Sequence, residues 1–367
     1  MSAESKSPFR RAVQDLPPFV APKTERDLAD LAVVRRLNLN ESPLGPSPKA
    51  IAAMTAMLGR VNRYPDACAR DLAAALGARL GIAAARIVFG TGSDELLQLL
   101  ALVTQEPGTR AIMPTPSFPR YAVATRLVGG TPAQIPLRED GACDVDAMLR
   151  DVTANTTLFY LATPNNPTGA MSSADEIARV AAALPPHVLL AVDEAYFEFA
   201  RAAGGADAIE ILAGRTAPWV VLRTFSKAYG LAGLRVGYAI GGDDSVAEML
   251  NRARSVFNLN ALAQTAALAA LADGAHTAKL IEACRAERER LRAALQGLGL
   301  RCLPSVANFL AVELPLPAAE AVPRLARQGI LAGAVGAPPF ERFLRISVGL
   351  ADDNDAAVAA IAGLLES

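Results

Sequence analysis

Short runs of apolar and β-branched residues alternate along most of this chain with longer Ala- and Leu-rich stretches of helical period. No other feature narrows the fold as much. Strands are expected over 86–90, 111–114, 157–162, 188–193, 219–224 and 235–240, with helices such as 93–103 and 174–183 between them. Such alternation predicts an α/β fold, a mostly parallel sheet covered by helices on both faces. Beyond about residue 245 the pattern changes. A charged, Ala-rich helix over 277–297 precedes short strands at 307–313 and 343–348, which reads as a smaller α+β domain. The expected division is an N-terminal arm (1–44) joined to the small domain, a large domain (45–245) and a small C-terminal domain (246–367). The length of 367 residues is enough for two separate cores.

Composition excludes several classes of function. A formal net charge of −1 gives no electrostatic reason to expect nucleic acid or an anionic membrane as partner. Mean hydropathy is +0.25, but the apolar residues are spread through Ala-rich helices and no apolar stretch reaches spanning length. The first residues lack the apolar core of a signal peptide, so a soluble cytoplasmic protein is expected. The four cysteines, Cys68, Cys143, Cys284 and Cys302, are scattered and suggest isolated thiols. The two histidines, His187 and His276, lie near no Cys or second His at ligand spacing, so no metal site is expected. The same scarcity argues against a Ser–His–Asp mechanism.

Open α/β sheets bind ligands at the carboxyl ends of their strands, and four polar segments fall there. Gly90-Thr91-Gly92-Ser93-Asp94-Glu95 joins a strand to a helix whose first N–H groups suit an anion, although a plain strand-to-helix turn explains it as well. Thr163-Pro164-Asn165-Asn166-Pro167-Thr168-Gly169 offers rigidly placed amides, or simply a turn. Asp193-Glu194-Ala195-Tyr196 closes an apolar run, where a carboxylate is costly unless it meets a partner. Thr224-Phe225-Ser226-Lys227 ends another such run. A lysine there can be partly desolvated, which lowers its pKa and suits it to Schiff-base chemistry; a lysine with its head in solvent fits that segment equally well. Arg235, eight residues on, is suited to bidentate contact with phosphate.

Taken together, GTGSDE, TPNNPTG, VDEAY and SKAYGLAGLRVG, in this order, resemble the fold-type I aminotransferases that use pyridoxal-5'-phosphate (PLP). The similarity is greatest to the histidinol-phosphate aminotransferase branch. LNLNESPLGPSP, RYPD and FLRISVG extend it over nearly the whole chain. The resemblance implies a fold-type I PLP-transferase in which Lys227 holds the cofactor as a Schiff base and shuttles the substrate's α-proton. It implies that Asp193 pairs with the pyridine nitrogen, and that Asn166 and Tyr196 bond the ring oxygen. Ser226, Arg235 and the backbone around Ser93 and Asp94 would hold the phosphate, and Phe118 would stack on the ring. Arg345 and Asn40 would face the substrate, and Tyr64 would reach the neighbouring subunit's cofactor in a homodimer with shared active sites.

The implied reaction takes an amino donor, histidinol phosphate, and a 2-oxo acid acceptor, 2-oxoglutarate, in histidine biosynthesis. Two departures bear on the donor. Phe19 stands where the branch commonly has Tyr, and Gly333 where it commonly has Arg, so neighbouring arginines such as Arg342 or Arg324 are expected to help Arg345. The departures favour an aromatic or other α-amino acid as the alternative donor, and a threonine-phosphate decarboxylase is a further relative of the branch. A PLP-sensing regulator would need a DNA-binding module before residue 37. A nicotinamide oxidoreductase would need a GxGxxG after a strand, and no convincing copy appears.

Overall fold

The structure, a computed structural model, describes residues 7–18, 20–31 and 33–366. Phe19 lies outside the described residues. Strand β1 (Arg35–Arg36) precedes seven strands of one large sheet: β2 (Ile87–Thr91), β3 (Arg110–Thr115), β4 (Thr131–Pro136), β5 (Thr156–Ala162), β6 (Leu189–Asp193), β7 (Trp219–Thr224) and β8 (Val236–Gly241). Their order is β2-β8-β7-β6-β5-β3-β4, and β8 alone runs antiparallel to its neighbours. Helices cover both faces, so the central strands are buried throughout and read as continuous apolar runs rather than alternating ones. Phe159, Leu161, Leu190, Val192 and Val221 pack on one face; Leu158, Tyr160, Ala191, Val220 and Leu222 pack on the other.

The apolar runs of the sequence mark six of these strands to within a residue or so and do not mark β4. Its segment, TPAQIP, carries two prolines, which the interior of a sheet rejects. β4 tolerates them because it is an edge strand paired with β3 alone.

Four short strands complete the fold: β9 (Phe309–Glu313), β10 (Ile330–Leu331), β11 (Gly333–Ala334) and β12 (Phe343–Ser347). β11, β12 and β9 form a three-stranded antiparallel sheet, and β10 pairs in parallel with β1. The N-terminal strand is thereby tied to C-terminal elements, and Leu37 joins their core. Helix Asp244–Ala253 lies on helix Gly92–Thr104, and helix Ala261–Leu271 lies on Pro48–Met57 and Arg70–Leu80. Ala263, Ala266, Ala267 and Ala270 are buried in the core of the large sheet, where their small side chains permit close approach. Helix Gly274–Gly297 packs on the C-terminal helix Ala351–Leu365 and β9, and also on the helices Phe197–Ala202 and Ala261–Leu271. Among the described residues no helix is long and apolar enough to cross a membrane.

Candidate active site

A cavity of about 510 Å³ opens at one edge of the large sheet. The carboxyl ends of β2, β3, β5, β6 and β7 meet there, and because β8 is antiparallel its first residue starts from the same edge. Topology thus gathers Ser93, Phe118, Asn166, Asp193, Ser226, Lys227 and Arg235, which are far apart in sequence, around one space. Asp94, Tyr196, Asn40 and Arg345 also line it.

Lys227 donates to the backbone carbonyls of Leu39 and Asn40, at 3.0 Å each. Burial lowers its pKa to about 7, and Arg345 and Arg235 act in the same direction against the opposing Glu41. Near neutral pH a large share of this amine is therefore free of its proton and nucleophilic.

Asp193 ends β6 almost fully buried. Burial raises its pKa, opposed by a 2.6 Å bond from the Tyr121 hydroxyl and a 3.1 Å bond from the Ala195 N–H. Tyr121 stacks on Tyr160 with ring centroids 4.6 Å apart. Tyr121 is a site residue that the motifs do not name; its signal is the second aromatic of PTPSFPRY, one helical turn after Phe118. Glu194, the next carboxylate, turns away from the cavity. Its partner is the fully buried Arg223, which donates from Nε at 2.8 Å and from Nη2 to Asp207 at 2.7 Å. Removing one partner of such a buried pair typically costs about 3–5 kcal/mol, so this cluster anchors the end of β6 behind Asp193.

The two asparagines of TPNNPTG divide their work. Asn165 is consumed inside the loop, accepting from Ser117 at 2.6 Å and donating to Pro116 O and Thr168 Oγ1. Asn166 faces the cavity and accepts from Arg345 Nη1 at 2.6 Å. Arg345 also donates to Asn38 O, while its Nε is buried without a partner.

Opposite these groups, the start of helix Gly92–Thr104 and Arg235 form a concave cradle. Gly92 has φ +75°, and a Cβ there would lie 2.4 Å from Arg235 Nη2. A Cβ on Gly237 would lie 2.4 Å from Ser93 N. Both positions thus require glycine for the helix terminus, β8 and the guanidinium to sit together. Exposed N–H groups beside a guanidinium suit a phosphate. The Asp94 side chain does not enter this cradle, since it pairs with Arg120 at 2.5 Å.

The sequence profile of the family "Aminotransferase class I and II" matches residues 33–361. The chain belongs to that family. This aminotransferase is 40% identical over 342 residues to histidinol-phosphate aminotransferase 2 of Methylococcus capsulatus, covering 92% of its own length and 91% of the relative's. It is 39% identical to the enzyme of the same name from Pseudomonas aeruginosa, covering 96% of each chain. Among solved structures it resembles histidinol-phosphate aminotransferase from Sinorhizobium meliloti in complex with PLP. The TM-score is 0.92 at 32% identity, over 100% of this chain and 99% of that one.

Tyr64, expected at the neighbouring subunit's site, and Arg342 and Arg324, expected to help Arg345, do not line the cavity of this aminotransferase. Tyr64 is 83% exposed, stacks on Phe257 at 4.7 Å and lines a different depression. Arg342 bonds Leu314 O at 2.7 Å, and Arg324 is exposed on helix Ala318–Arg327. The expectation that either helps Arg345 is therefore corrected: neither lines the cavity. Gly333 pairs across β11 and β12 with Arg345 itself, and a Cβ there would lie 3.3 Å from Arg345 Nη2.

Proposed function

We propose that this chain is a PLP-dependent aminotransferase that takes the amino group of histidinol phosphate, with 2-oxoglutarate as acceptor, and works as a homodimer. The observation that carries the reading is Lys227, a half-buried amine with a near-neutral pKa, sharing one cavity with a buried carboxylate and a glycine-lined cationic cradle. These residues fit PLP, which when bound supplies a carbonyl for the amino group and a ring that accepts the electrons released at the substrate's α-carbon. Ser93, Ser226, Arg235 and the backbone at Asp94 would hold its phosphate, and Phe118 its ring face. Asp193 would keep the ring nitrogen protonated, its buried carboxylate gaining the cationic partner that burial demands. Asn166 and Tyr196 would bond the ring oxygen. Lys227 would carry the cofactor between turnovers and then, once displaced by the substrate amine, move the α-proton as a neutral base.

The donor is supported by the names of the relatives. Arg345 would bind the substrate's anionic end, near Asn40. Of the cations lining the cavity, Lys227 and Arg235 are assigned to the cofactor, which leaves Arg345. A phosphate monoester carries nearly two charges, and each charge-assisted contact contributes roughly 1.5–3 kcal/mol. With Gly333 in place of an arginine, preference for the phosphorylated donor should be weaker by about one to two decades than in a site with both. The measurement is kcat/KM for histidinol phosphate against phenylalanine, tyrosine and histidine. Histidinol phosphate is expected to win by a reduced margin. Clear preference for an aromatic amino acid would replace it with the second reading, an aromatic α-amino acid, which the single Arg345 favours.

The homodimer is supported by the exposed apolar residues around Tyr64, namely Val61 and Phe257, which share one surface depression with it. Tyr64 would reach the partner's cofactor phosphate from there. Mixing Lys227→Ala with Tyr64→Ala protein should give hybrids with one intact site, because both changes then fall in the other site. Activity is expected to return on subunit exchange; inactive, verified hybrids would place both groups in one subunit's site. The division into units would follow the packing. A large unit would run from the helix Pro48–Met57 to about residue 273, with a small unit from Gly274 onward that takes in the N-terminal arm.

A further inference from the structure

Tyr196, Asn40 and Ser347 form a hydrogen-bond chain whose direction is fixed at its far end. All three are buried. The Asn40 backbone N–H donates to Ser347 Oγ at 2.8 Å, so that oxygen is the acceptor there. The Ser347 hydroxyl proton goes to Asn40 Oδ1 at 3.0 Å. With its carbonyl end so engaged, the Asn40 amide presents Nδ2 to the Tyr196 hydroxyl, at 2.9 Å. In the opposite amide orientation two N–H groups would meet Ser347 Oγ, and the serine's own proton would lose its acceptor. Tyr196 therefore accepts from Asn40, and its own proton is left to point into the cavity it lines.

Backbone geometry holds the chain in place. Asn40 has φ 54°, a left-handed conformation that asparagine tolerates, and its carbonyl accepts from both Lys227 and Asn308. Ser347 N–H donates to Leu37 O at 2.8 Å, which ties β12 to the N-terminal arm. Burial holds the Tyr196 phenol at about 12, with Arg345 and Asp193 as the charges facing it, so the hydroxyl keeps its proton.

We infer that Ser347 is a positioning residue that acts through Asn40 to make Tyr196 an obligatory hydrogen-bond donor to the group bound in the cavity. The inference rests on the proposed reading of Tyr196 as a partner of the cofactor's ring oxygen. Without Ser347 the Asn40 amide is free to turn, and Tyr196 can spend its proton on Asn40 Oδ1. The ring oxygen then loses a donor that favours its anionic state, and the lysine-bound cofactor holds its proton to higher pH.

The test is a spectrophotometric pH titration of the lysine-bound cofactor in the resting holoenzyme. Ser347→Ala should raise that pKa by about one unit, a tenfold change in proton affinity. Ser347→Thr keeps the hydroxyl on a strand that suits a β-branched residue, and should titrate as the parent does. Tyr196→Phe should raise the pKa as well, and Ser347→Ala added to it should shift nothing further. Glu41, Arg235 and Arg345, the charges around Lys227, are unchanged in all of these proteins. If Tyr196→Phe leaves the titration unmoved, the reading of Tyr196 fails. If Tyr196→Phe shifts it and Ser347→Ala does not, or the two shifts add, only the role of Ser347 is overturned. A Ser347→Thr protein of parental thermal stability that titrates like Ser347→Ala would overturn it too.

Discussion

Lys227→Ala loses turnover by more than about 10⁴-fold, and with it the visible absorbance of the lysine-bound cofactor. On the proposed reading two functions would vanish together, the amine that carries the cofactor and the base that moves the α-proton, and the second alone is commonly worth 10²–10⁴-fold. Among the described residues the other lysines, Lys23, Lys49 and Lys279, do not line the cavity, so none of these is placed to substitute. Stability should change little. Among the described residues the amine's hydrogen bonds go to the Leu39 and Asn40 carbonyls, and the burial that lowers its pKa opposes keeping it charged. Steady-state assay, absorbance between pH 6 and 9 and a thermal melt check the three parts. Full activity in a well-folded Lys227→Ala protein would mean that another group carries the cofactor.

Asp193→Ala is expected to cost about 10²–10⁴-fold in kcat, because on the proposed reading the charge that would face the ring nitrogen is lost where water is largely excluded. Its side chain also accepts from Tyr121 and the Ala195 N–H, so truncation leaves two buried donors unpaired, at about 1–3 kcal/mol each. Asp193→Asn separates the two effects. It retains the shape and an acceptor, so the melt should move little, yet it lacks the charge and should lose nearly as much kcat as alanine. An asparagine variant with near-parental kcat would remove the assigned role.

The parts of this protein that are legible in sequence are those written locally. Strand-closing segments such as VDEAY and FSKAYG announce both a buried strand and a polar group at its end, and the sheet then brings those ends together. Asp193, Lys227 and Arg235 can be named on that ground, with the order of the motifs adding their neighbours. The packing of the Ala-rich helix Ala261–Leu271 is harder to see: its sequence looks alike whichever element it meets, and does not announce the close fit to Pro48–Met57. Long-range hydrogen bonds leave no trace at all. Ser347 and Asn40 are 307 residues apart, and nothing in either segment announces the pairing. Arg342 shows the same limit from the other side. It is three residues from Arg345, yet its guanidinium bonds Leu314 O while Arg345 lines the cavity.

The central claim, that Lys227 carries PLP, has a direct chemical test. Borohydride reduction fixes a carbonyl cofactor to whichever amine holds it, and proteolysis with mass spectrometry then locates the label among the chain's five lysines. The expected result is a phosphopyridoxyl group on the peptide containing Lys227, and on no other. Label on a different lysine, or none on a protein that has taken up the cofactor, would contradict the account.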